Sequence, residues 1–369
     1  MKFFKEYVSN TLAGTSNQLF FDGSKTATGR VFYKIYKGGM YEYSFLFSNI
    51  IDSTYGDGSV SNKNIVLDSW ELFSLKVATL KGDALPENLT DSRVANEINS
   101  ANLDFKTVTF DGKTSKEVAP GEFFASDGIA LDLDENGYIC LEIVARGDTL
   151  PYHEEAIIPI YRKTEDSWVF DKRLPIPSMV GVKRPVSLKI GFIGDSITQG
   201  IGVPLNHYTQ WNTYVANGLL QEYAYWNLGI GFGRASDMSS LGAWMFKALQ
   251  NDLLVVCYGV NDIMQGASAN TVKADLEKIV NHLLKHGKRV VLQTVPPFDY
   301  NPEQRERWEN VNSFIKTELK ERVDLVFDVV PHLGKSESEP NIAKFGGHPN
   351  EEGSKIWGEA LLQEIKKIL

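Results

Sequence analysis

A serine that directly follows an apolar run is the first candidate for catalysis in this sequence. The segment KIGFIGDSITQG, residues 189–200, places Ser196 after a strand-like stretch and at the start of a turn or helix. Because ligands of an open parallel sheet sit beyond the carboxyl ends of its strands, Ser196 would stand at the active edge, where its hydroxyl can act as a nucleophile. A serine that merely caps a helix fits the same pattern. Thr198 stands where the G-x-S-x-G elbow of α/β-hydrolases has glycine.

A histidine far along the chain could serve as the general base for this serine. His348 lies in FGGHPN, residues 345–350, where two glycines and a proline hold it on a short loop. Asn350 would cap the helix that follows. Imidazole accepts a proton near neutral pH, so a histidine that reaches Ser196 would activate it. A solvent-exposed loop histidine is the alternative.

Two further segments offer hydrogen-bond donors for a developing oxyanion. In LLVVCYGVND, residues 253–262, a strand-like run ends close to Asn261, whose neutral amide can donate an N–H. The same residue could simply close a loop. In WNLGIGFGRA, residues 226–235, glycines allow backbone N–H groups to approach a ligand. A dinucleotide-binding loop is a weak alternative there, because the spacing is GxGxG rather than GxGxxG.

Three of these segments follow strand-like runs, which indicates that one sheet positions them. From residue 188 onward, apolar runs alternate with helical patterns, and this favours a parallel sheet covered on both faces. The predicted strands span 188–193, 224–228, 253–258, 289–294 and 325–330. The predicted helices lie near 207–222, 235–250, 271–286, 303–321 and 351–368.

The first half of the chain has a different pattern of apolar and turn residues. Short runs rich in Val, Ile, Phe, Tyr and Thr alternate with glycine turns, as in RVFYKIY at 30–36 and WELFSLKVA at 70–78. Such spacing is typical of an antiparallel sandwich or jelly roll. The proline-rich stretch 174–188 indicates a connection. We therefore predict a β-sandwich or jelly-roll-like accessory domain over 1–182 and a catalytic domain over 183–369.

Composition argues against several classes of function. The 369-residue chain carries 38 Lys and Arg against 47 Asp and Glu, a net charge of −9, so neither nucleic acid nor an anionic membrane is an expected partner. No run of about eighteen apolar residues and no signal-peptide core is present, which favours the cytoplasm. A secreted protein that had lost its leader would look the same. Cys140 and Cys257 are expected to be buried thiols, and neither they nor His282 and His286 have the spacing of a metal site.

Taken together and in this order, the blocks GDSIT, NLGIGFG, GVND and GGHPN resemble the SGNH/GDSL hydrolase superfamily over residues 186–369. The resemblance implies a three-layer αβα, flavodoxin-like domain with a parallel sheet, and the mechanism of a serine esterase. Ser196 would be the nucleophile, supported by its neighbour Asp195, and His348 would be the general base. The oxyanion hole would use the N–H of Ser196, the side chain of Asn261 and a backbone N–H of the second block. The candidates for that last donor are Gly231, Phe232 and Gly233.

Two departures from the family pattern bear on the mechanism. Phe232 stands five residues after Asn227, where the family usually has glycine, although a backbone N–H needs no particular side chain. Phe345 stands three residues before His348, where the family usually has the aspartate that orients the histidine. We therefore predict a Ser-His dyad in which a main-chain carbonyl holds the Nδ1–H. A carboxylate from elsewhere, such as Asp328, is the less favoured alternative.

The resulting expectation is an esterase, with acetyl esters of a carbohydrate favoured by analogy with two-domain carbohydrate esterases of the superfamily. The chemistry needs no metal and no organic cofactor, and the expected partner is a small acylated substrate, with an acetylated saccharide favoured. A lipase, a thioesterase or an acyltransferase on a non-sugar ester remains open, as does a glycan-binding protein without catalysis. Trp211, Trp226 and Trp244 lie near the site blocks, but core positions are favoured over sugar stacking for them. The sequence does not indicate the oligomeric state.

Overall fold

The structure of the chain is a computed structural model, which describes residues 1–55, 61–82, 84–333, 343–345 and 347–369. Its contacts divide the chain into two compact units. The first contains Met1–Asp52 and Asn64–Pro185, and the second contains Ser53–Lys63 and Val186–Leu369. The first is rich in strands, whereas the second alternates strands with helices.

The chain up to residue 183 forms mainly antiparallel strands. These strands are β1 (Val8–Ser9), β2 (Leu19–Asp22), β3 (Ala27–Lys34), β4 (Gly39–Ser48), β5 (Ile50–Tyr55), β6 (Ser61–Val66), β7 (Trp70–Leu80), β8 (Lys106–Val108), β9 (Lys116–Val118), β10 (Phe123–Ala125), β11 (Ile129–Leu133), β12 (Tyr138–Gly147), β13 (Thr149–Tyr152), β14 (Ile160–Lys163), β15 (Trp168–Phe170) and β16 (Met179–Lys183). The same region forms the helices α1 (Phe3–Glu6) and α2 (Ser92–Ser100).

Most of these strands belong to two larger antiparallel sheets. One has the order β1-β16-β4-β10, with β11 also paired to β4. The other has the order β15-β14-β3-β12-β7-β8, with β9 also paired to β7. Strand β12 lies inside the second sheet, and apolar side chains on both of its faces, such as Ile139 and Cys140, are buried, as expected for a strand covered from both sides. The jelly-roll arrangement of this region stays a prediction.

The second unit contains a parallel sheet and its helices. The strands are β17 (Leu188–Gly194), β18 (Tyr223–Asn227), β19 (Leu253–Cys257), β20 (Arg289–Gln293), β21 (Leu325–Phe327), β22 (Ala343–Phe345) and β23 (His348–Pro349). The helices are α3 (Ser196–Gln199), α4 (Trp211–Gly218), α5 (Ala235–Met238), α6 (Ala243–Ala248), α7 (Val260–Met264), α8 (Ala269–Lys285), α9 (Pro302–Phe314), α10 (Val330–Leu333) and α11 (Glu351–Ile365). Helix α9 continues through a π-helical segment, Ile315–Leu319, and a 3₁₀ turn, Lys320–Arg322.

The strand order of the parallel sheet indicates where a ligand would bind. The order is β18-β17-β19-β20-β21, which is the 2-1-3-4-5 order of flavodoxin-like sheets. The order reverses at β17 and β19, and ligands of such sheets bind beyond the carboxyl ends of the strands at this point. Helices contact one another in two sets, α4 and α10 with α11, and α5 and α9 with α8, as expected when right-handed crossovers cover both faces. The predicted α/β class with a parallel sheet is confirmed.

Two predicted helices are shorter in the structure than the sequence indicated. The pattern near 207–222 predicted one helix, but α4 begins only at Trp211, because Asn206 and Tyr208 adopt left-handed backbone conformations with φ of +66° and +56°. The pattern near 235–250 also predicted one helix, but it divides into α5 and α6 around Leu241, whose φ is +62°. A right-handed helix cannot run through such residues, and side-chain periodicity does not reveal them.

The two cysteines are buried in strands, as expected. Cys140 lies in β12 and Cys257 is the last residue of β19, and neither forms a disulfide. Burial raises the pKa of both thiols, so both stay neutral near pH 7 and are poorly suited to nucleophilic chemistry.

Candidate active site

The sharp turn between β17 and α3 places Ser196 at the carboxyl end of an inner strand. Glycine is required at position 194, because a Cβ on Gly194 would lie 2.1 Å from Thr198 Oγ1. Asp195 caps α3 by accepting the N–H of Ile197 at 3.0 Å. Ser196 is therefore the first residue of the helix, where a backbone N–H has no intrahelical partner.

Ser196 and His348 are 152 positions apart in sequence and share a hydrogen bond in the structure. The serine Oγ lies 2.8 Å from the histidine Nε2. Ser196 is buried and His348 is half-buried, so the pair is partly shielded from water. When Nε2 carries no proton, it can accept the serine proton, which is the geometry that a general base needs to activate a nucleophile.

Two glycines position the loop that carries His348. Gly202 has φ +111°, and a Cβ on it would lie 2.3 Å from the carbonyl oxygen of Pro349. Gly347 has φ +85°, and a Cβ on it would lie 2.7 Å from Phe298 Cδ2. The Phe298 ring packs edge to face with the imidazole, with ring centroids 5.4 Å apart. The close approach at Gly202 and the Phe298 ring together restrict where the imidazole can lie.

The contacts of Asp328 argue against it as the acid that orients His348. Asp328 Oδ1 accepts from Thr294 Oγ1 at 3.0 Å, and Oδ2 accepts from Lys316 Nζ at 3.2 Å. Both carboxylate oxygens are therefore engaged with other groups. Phe345, in the position usual for the family's aspartate, lies opposite His348 in the β22–β23 pair. The Ser-His dyad stays a prediction.

A tight turn in the second block carries the candidate oxyanion donors. The N–H of Gly233 donates to the carbonyl of Ile230 at 3.0 Å, so this N–H is engaged inside the turn. Phe232 has φ +58° at the third position of the turn, where glycine is the usual residue. The N–H of Ile230 donates to the carbonyl of Gly194 at 3.1 Å, which ties the turn to the end of β17. Which of Gly231, Phe232 and Gly233 supplies the oxyanion donor stays a prediction.

Asn261 lies beside this turn, near the start of α7. Its Nδ2 donates to the carbonyl of Gly233 at 3.0 Å. Gly259 makes the turn from β19 into α7 with φ +127°, and a Cβ on it would lie 2.7 Å from Val295 Cγ2. Since an amide nitrogen carries two N–H groups, the bond to Gly233 fixes the amide plane and leaves the second N–H for another acceptor.

Asp262 joins the second and third blocks, although the sequence pattern did not single it out. It is buried, and its carboxylate accepts the N–H groups of Ala235 at 2.9 Å and Ser236 at 3.3 Å. Those two N–H groups belong to the first residues of α5, so Asp262 holds the end of the second block against Asn261. The sequence did contain a signal for Asp262, because this aspartate directly follows Asn261 in the block GVND.

Two buried carboxyl groups, Asp195 beside the candidate nucleophile and Asp262, interact with each other electrostatically. Burial raises the pKa of Asp195 to about 7, and repulsion by Asp262 acts in the same direction. Burial also raises the pKa of Asp262 to about 6, although the N–H groups of Ala235 and Ser236 stabilise its charged form. Asp195 therefore changes its charge near neutral pH, one residue before Ser196.

The three tryptophans near the site blocks are core residues, as the sequence analysis predicted. Trp211, Trp226 and Trp244 are at most 2% exposed. Trp211 stacks on Trp357 with ring centroids 4.9 Å apart, and Trp244 Nε1 donates to the Leu228 carbonyl at 2.7 Å. Their rings are therefore not accessible for stacking on a sugar.

The described parts of the chain hold no group of three or more His, Cys, Asp and Glu side chains that could bind a metal ion. Among the described helices, none is both long enough and apolar enough to span a bilayer.

A comparison with protein families bears directly on this arrangement. Residues 192–356 match the model of the GDSL-like Lipase/Acylhydrolase family. We refer to this matching region, residues 192–356, as the GDSL-like domain. The GDSL-like domain includes Ser196, Asn261 and His348, the residues that the structure brings to one edge of the sheet. No curated protein matches the chain.

Solved structures similar to the chain include members of the same family. A member of the lipolytic protein G-D-S-L family from Veillonella parvula is 22% identical with a TM-score of 0.43, and the match covers 49% of this chain and 100% of that one. A carbohydrate acetylesterase from Sinorhizobium meliloti is 15% identical with a TM-score of 0.41, covering 50% and 100%. An aryl esterase from M. smegmatis is 17% identical with a TM-score of 0.40, again covering 50% and 100%.

Proposed function

We propose that the chain hydrolyses acyl esters, with Ser196 as nucleophile and His348 as general base. The observation that carries this proposal is the 2.8 Å hydrogen bond between Ser196 Oγ and His348 Nε2, within a GDSL-like lipase/acylhydrolase domain. A serine hydroxyl becomes a competent nucleophile when a base accepts its proton as the new bond to carbon forms. The half-buried position of His348 leaves room for a substrate to reach the pair.

The proposed reaction proceeds through an acyl-enzyme. Ser196 Oγ attacks the ester carbonyl carbon while His348 Nε2 takes the hydroxyl proton. The Asn261 side chain, the Ser196 N–H and one N–H of the turn at 230–233 stabilise the resulting oxyanion. The tetrahedral intermediate then breaks its bond to the leaving alcohol, which receives the proton from His348, and the acyl group stays on Ser196. Water, deprotonated by His348, releases the carboxylic acid and restores the serine.

The proposed base works as part of a dyad. Asp328 is engaged by Thr294 and Lys316, which supports a main-chain carbonyl, rather than this carboxylate, as the partner of the His348 Nδ1–H. A carbonyl fixes the tautomer of the imidazole through its lone pairs but adds no full negative charge to stabilise the imidazolium.

We infer that the substrates are acetyl esters of a carbohydrate. Support comes from the combination of a strand-rich unit with a GDSL-like domain, which resembles that of two-domain carbohydrate esterases. A lipase, a thioesterase or an acyltransferase on a non-sugar ester would use the same serine chemistry. A panel of acetylated oligosaccharides, p-nitrophenyl esters of increasing chain length and an acyl thioester separates these activities by their relative kcat/KM.

Loss of the nucleophile tests the core of the proposal. We expect the unaltered chain to hydrolyse p-nitrophenyl acetate and Ser196→Ala to be slower by about a thousandfold or more. Ser313→Ala, an exposed position on α9, serves as the matched control and should keep full activity. A phosphonate probe should label Ser196, located by mass spectrometry. Equal activity of Ser196→Ala, or no labelling of Ser196, would instead support a protein without serine catalysis.

A further inference from the structure

A cavity of about 540 Å³ opens on the first unit. Its lining includes four charged residues and two aromatic ones, namely Glu71, Glu117, Arg146, Asp148, Trp70 and Phe73. All of these residues belong to the first unit and lie outside the GDSL-like domain. The catalytic proposal therefore does not account for this cavity.

Strand register explains how the lining side chains come together. Glu71 of β7 lies opposite Arg146 of β12 on one side and opposite Glu117 of β9 on the other. Paired residues on neighbouring strands point to the same face, so these three side chains form a row. A bulge interrupts the β7–β12 register and leaves Phe73 without a partner on β12. Bulges re-aim side chains, and Phe73 is 38% exposed beside the row.

The charged side chains around Phe73 have unused hydrogen-bonding capacity. In the described parts of the chain, no side-chain hydrogen bond or ion pair is made by Glu71, Glu117, Arg146 or Asp148. Elsewhere in the same sheet, by contrast, Arg30 of β3 and Glu142 of β12 are paired at 2.8 Å. The row beside Phe73 therefore presents both donors and acceptors to whatever enters the cavity.

We propose that this cavity binds an uncharged saccharide chain. A pyranose ring has an apolar C–H face that can pack on an exposed aromatic ring such as Phe73. Its hydroxyls both donate and accept, so they can bond to the carboxylates of Glu71 and Glu117 and to the guanidinium of Arg146. Hydrogen bonds to charged groups are stronger than those between neutral groups. The site does not depend on the esterase activity proposed for the GDSL-like domain.

The same lining disfavours other classes of ligand. Three carboxylates against one guanidinium give a net negative lining, which repels phosphorylated ligands. Lipid chains would have to desolvate the four charged side chains that lie around the exposed Phe73 ring. A basic peptide would be attracted by the carboxylates but repelled by Arg146, whereas hydroxyl groups satisfy charges of both signs.

Binding of neutral oligosaccharides to the full chain tests this proposal. Isothermal titration calorimetry with unacetylated xylohexaose, cellohexaose and mannohexaose compares the unaltered protein with Phe73→Ala, Glu71→Gln and the control Phe20→Ala. Phe20 is 45% exposed on β2 and does not line the cavity. We expect at least one oligosaccharide to bind the unaltered protein and Phe20→Ala equally. Affinity for Phe73→Ala and Glu71→Gln should be about tenfold weaker.

Controls separate a binding defect from a folding defect. Thermal unfolding and p-nitrophenyl acetate hydrolysis should be unchanged in all three variants, because none of the replaced side chains is buried. The proposal is overturned if the folded, unaltered protein binds none of the oligosaccharides at about 1 mM. It is also overturned if Phe73→Ala and Glu71→Gln bind as tightly as the unaltered protein, or if hexalysine binds in place of the oligosaccharides. An oligosaccharide that binds a chain without esterase activity would uphold this site while rejecting the catalytic proposal.

Discussion

Asn261 donates through Nδ2 to the carbonyl of Gly233 at 3.0 Å, which joins the third block of the site to the second. A carbonyl only accepts hydrogen bonds, so this contact decides which end of the amide faces the turn. The N–H of Gly233 itself donates to the Ile230 carbonyl at 3.0 Å, so the two peptide groups that flank Gly233 are both held. Donors to an oxyanion are effective when they are fixed before the charge develops, and this arrangement fixes the Asn261 amide in that way.

Replacing Asn261 by alanine is expected to lower kcat by about 10²–10³-fold with little change in KM. The reason is that the oxyanion exists only in the transition state and in the tetrahedral intermediates, not in the bound ester. Steady-state kinetics with p-nitrophenyl acetate measure both constants. Asn261→Asp keeps the side-chain size but removes the N–H donor, so its kcat should fall by a similar factor. An unchanged kcat in both variants would remove Asn261 from the oxyanion hole.

Asp262→Ala should lower kcat about tenfold while KM stays nearly constant, because the N–H groups of Ala235 and Ser236 lose the acceptor that holds the second block in place. Asp275→Ala is a matched control, since Asp275 accepts from Ser239 Oγ at 2.6 Å near the far end of α5. The kcat of Asp275→Ala should remain close to that of the unaltered chain. Equal effects of the two substitutions would show that Asp262 acts only through general stability.

Gly202→Ala should reduce kcat at least about tenfold, because its new Cβ would meet the Pro349 carbonyl at 2.3 Å and push the adjoining His348 away from Ser196. Gly266→Ala separates this effect from backbone strain. Gly266 also has a positive φ, +90°, but nothing lies within 4 Å of its Cβ position. Both variants should lose about 1–2 kcal/mol of unfolding free energy from the left-handed conformation. Retained activity in Gly202→Ala would show that the loop tolerates the displacement.

The unfolding free energy should fall as the pH rises from about 4 to about 7. Burial raises the pKa of Asp195 from 3.8 to about 7, so at intermediate pH the folded chain keeps a proton that the unfolded chain has released. The resulting loss of stability develops between about pH 4 and pH 7 and is complete at higher pH. Asp262, whose pKa is raised to about 6, contributes in the same direction.

Asp195→Asn tests this assignment, because asparagine caps a helix as well as aspartate does but carries no charge. Urea unfolding between pH 5 and pH 8 should show a weaker dependence on pH for the variant than for the unaltered chain. A variant with the same dependence would show that other groups cause the effect.

The order of elements in the GDSL-like domain was accessible from the sequence, because apolar periodicity is a local property. The run predicted at 253–258 is strand Leu253–Cys257, and the helix predicted near 271–286 is Ala269–Lys285. The four blocks also marked the strand ends and loops that carry the candidate catalytic residues. By contrast, the ends of α4 and α5 depend on residues with positive φ, which a pattern of side-chain types does not reveal.

The sequence by itself determined which residues are chemically suited to catalysis and which strands precede them. Only the tertiary structure decided that Ser196 Oγ and His348 Nε2 lie 2.8 Å apart, that the Gly233 N–H is engaged within its turn, and that Asp262 joins two blocks. The cavity beside Phe73 likewise depends on the register of three strands and on a bulge in one of them. The physical reason is that hydrogen bonds and close approaches between segments far apart in sequence arise only when the packing of the whole unit has fixed each backbone.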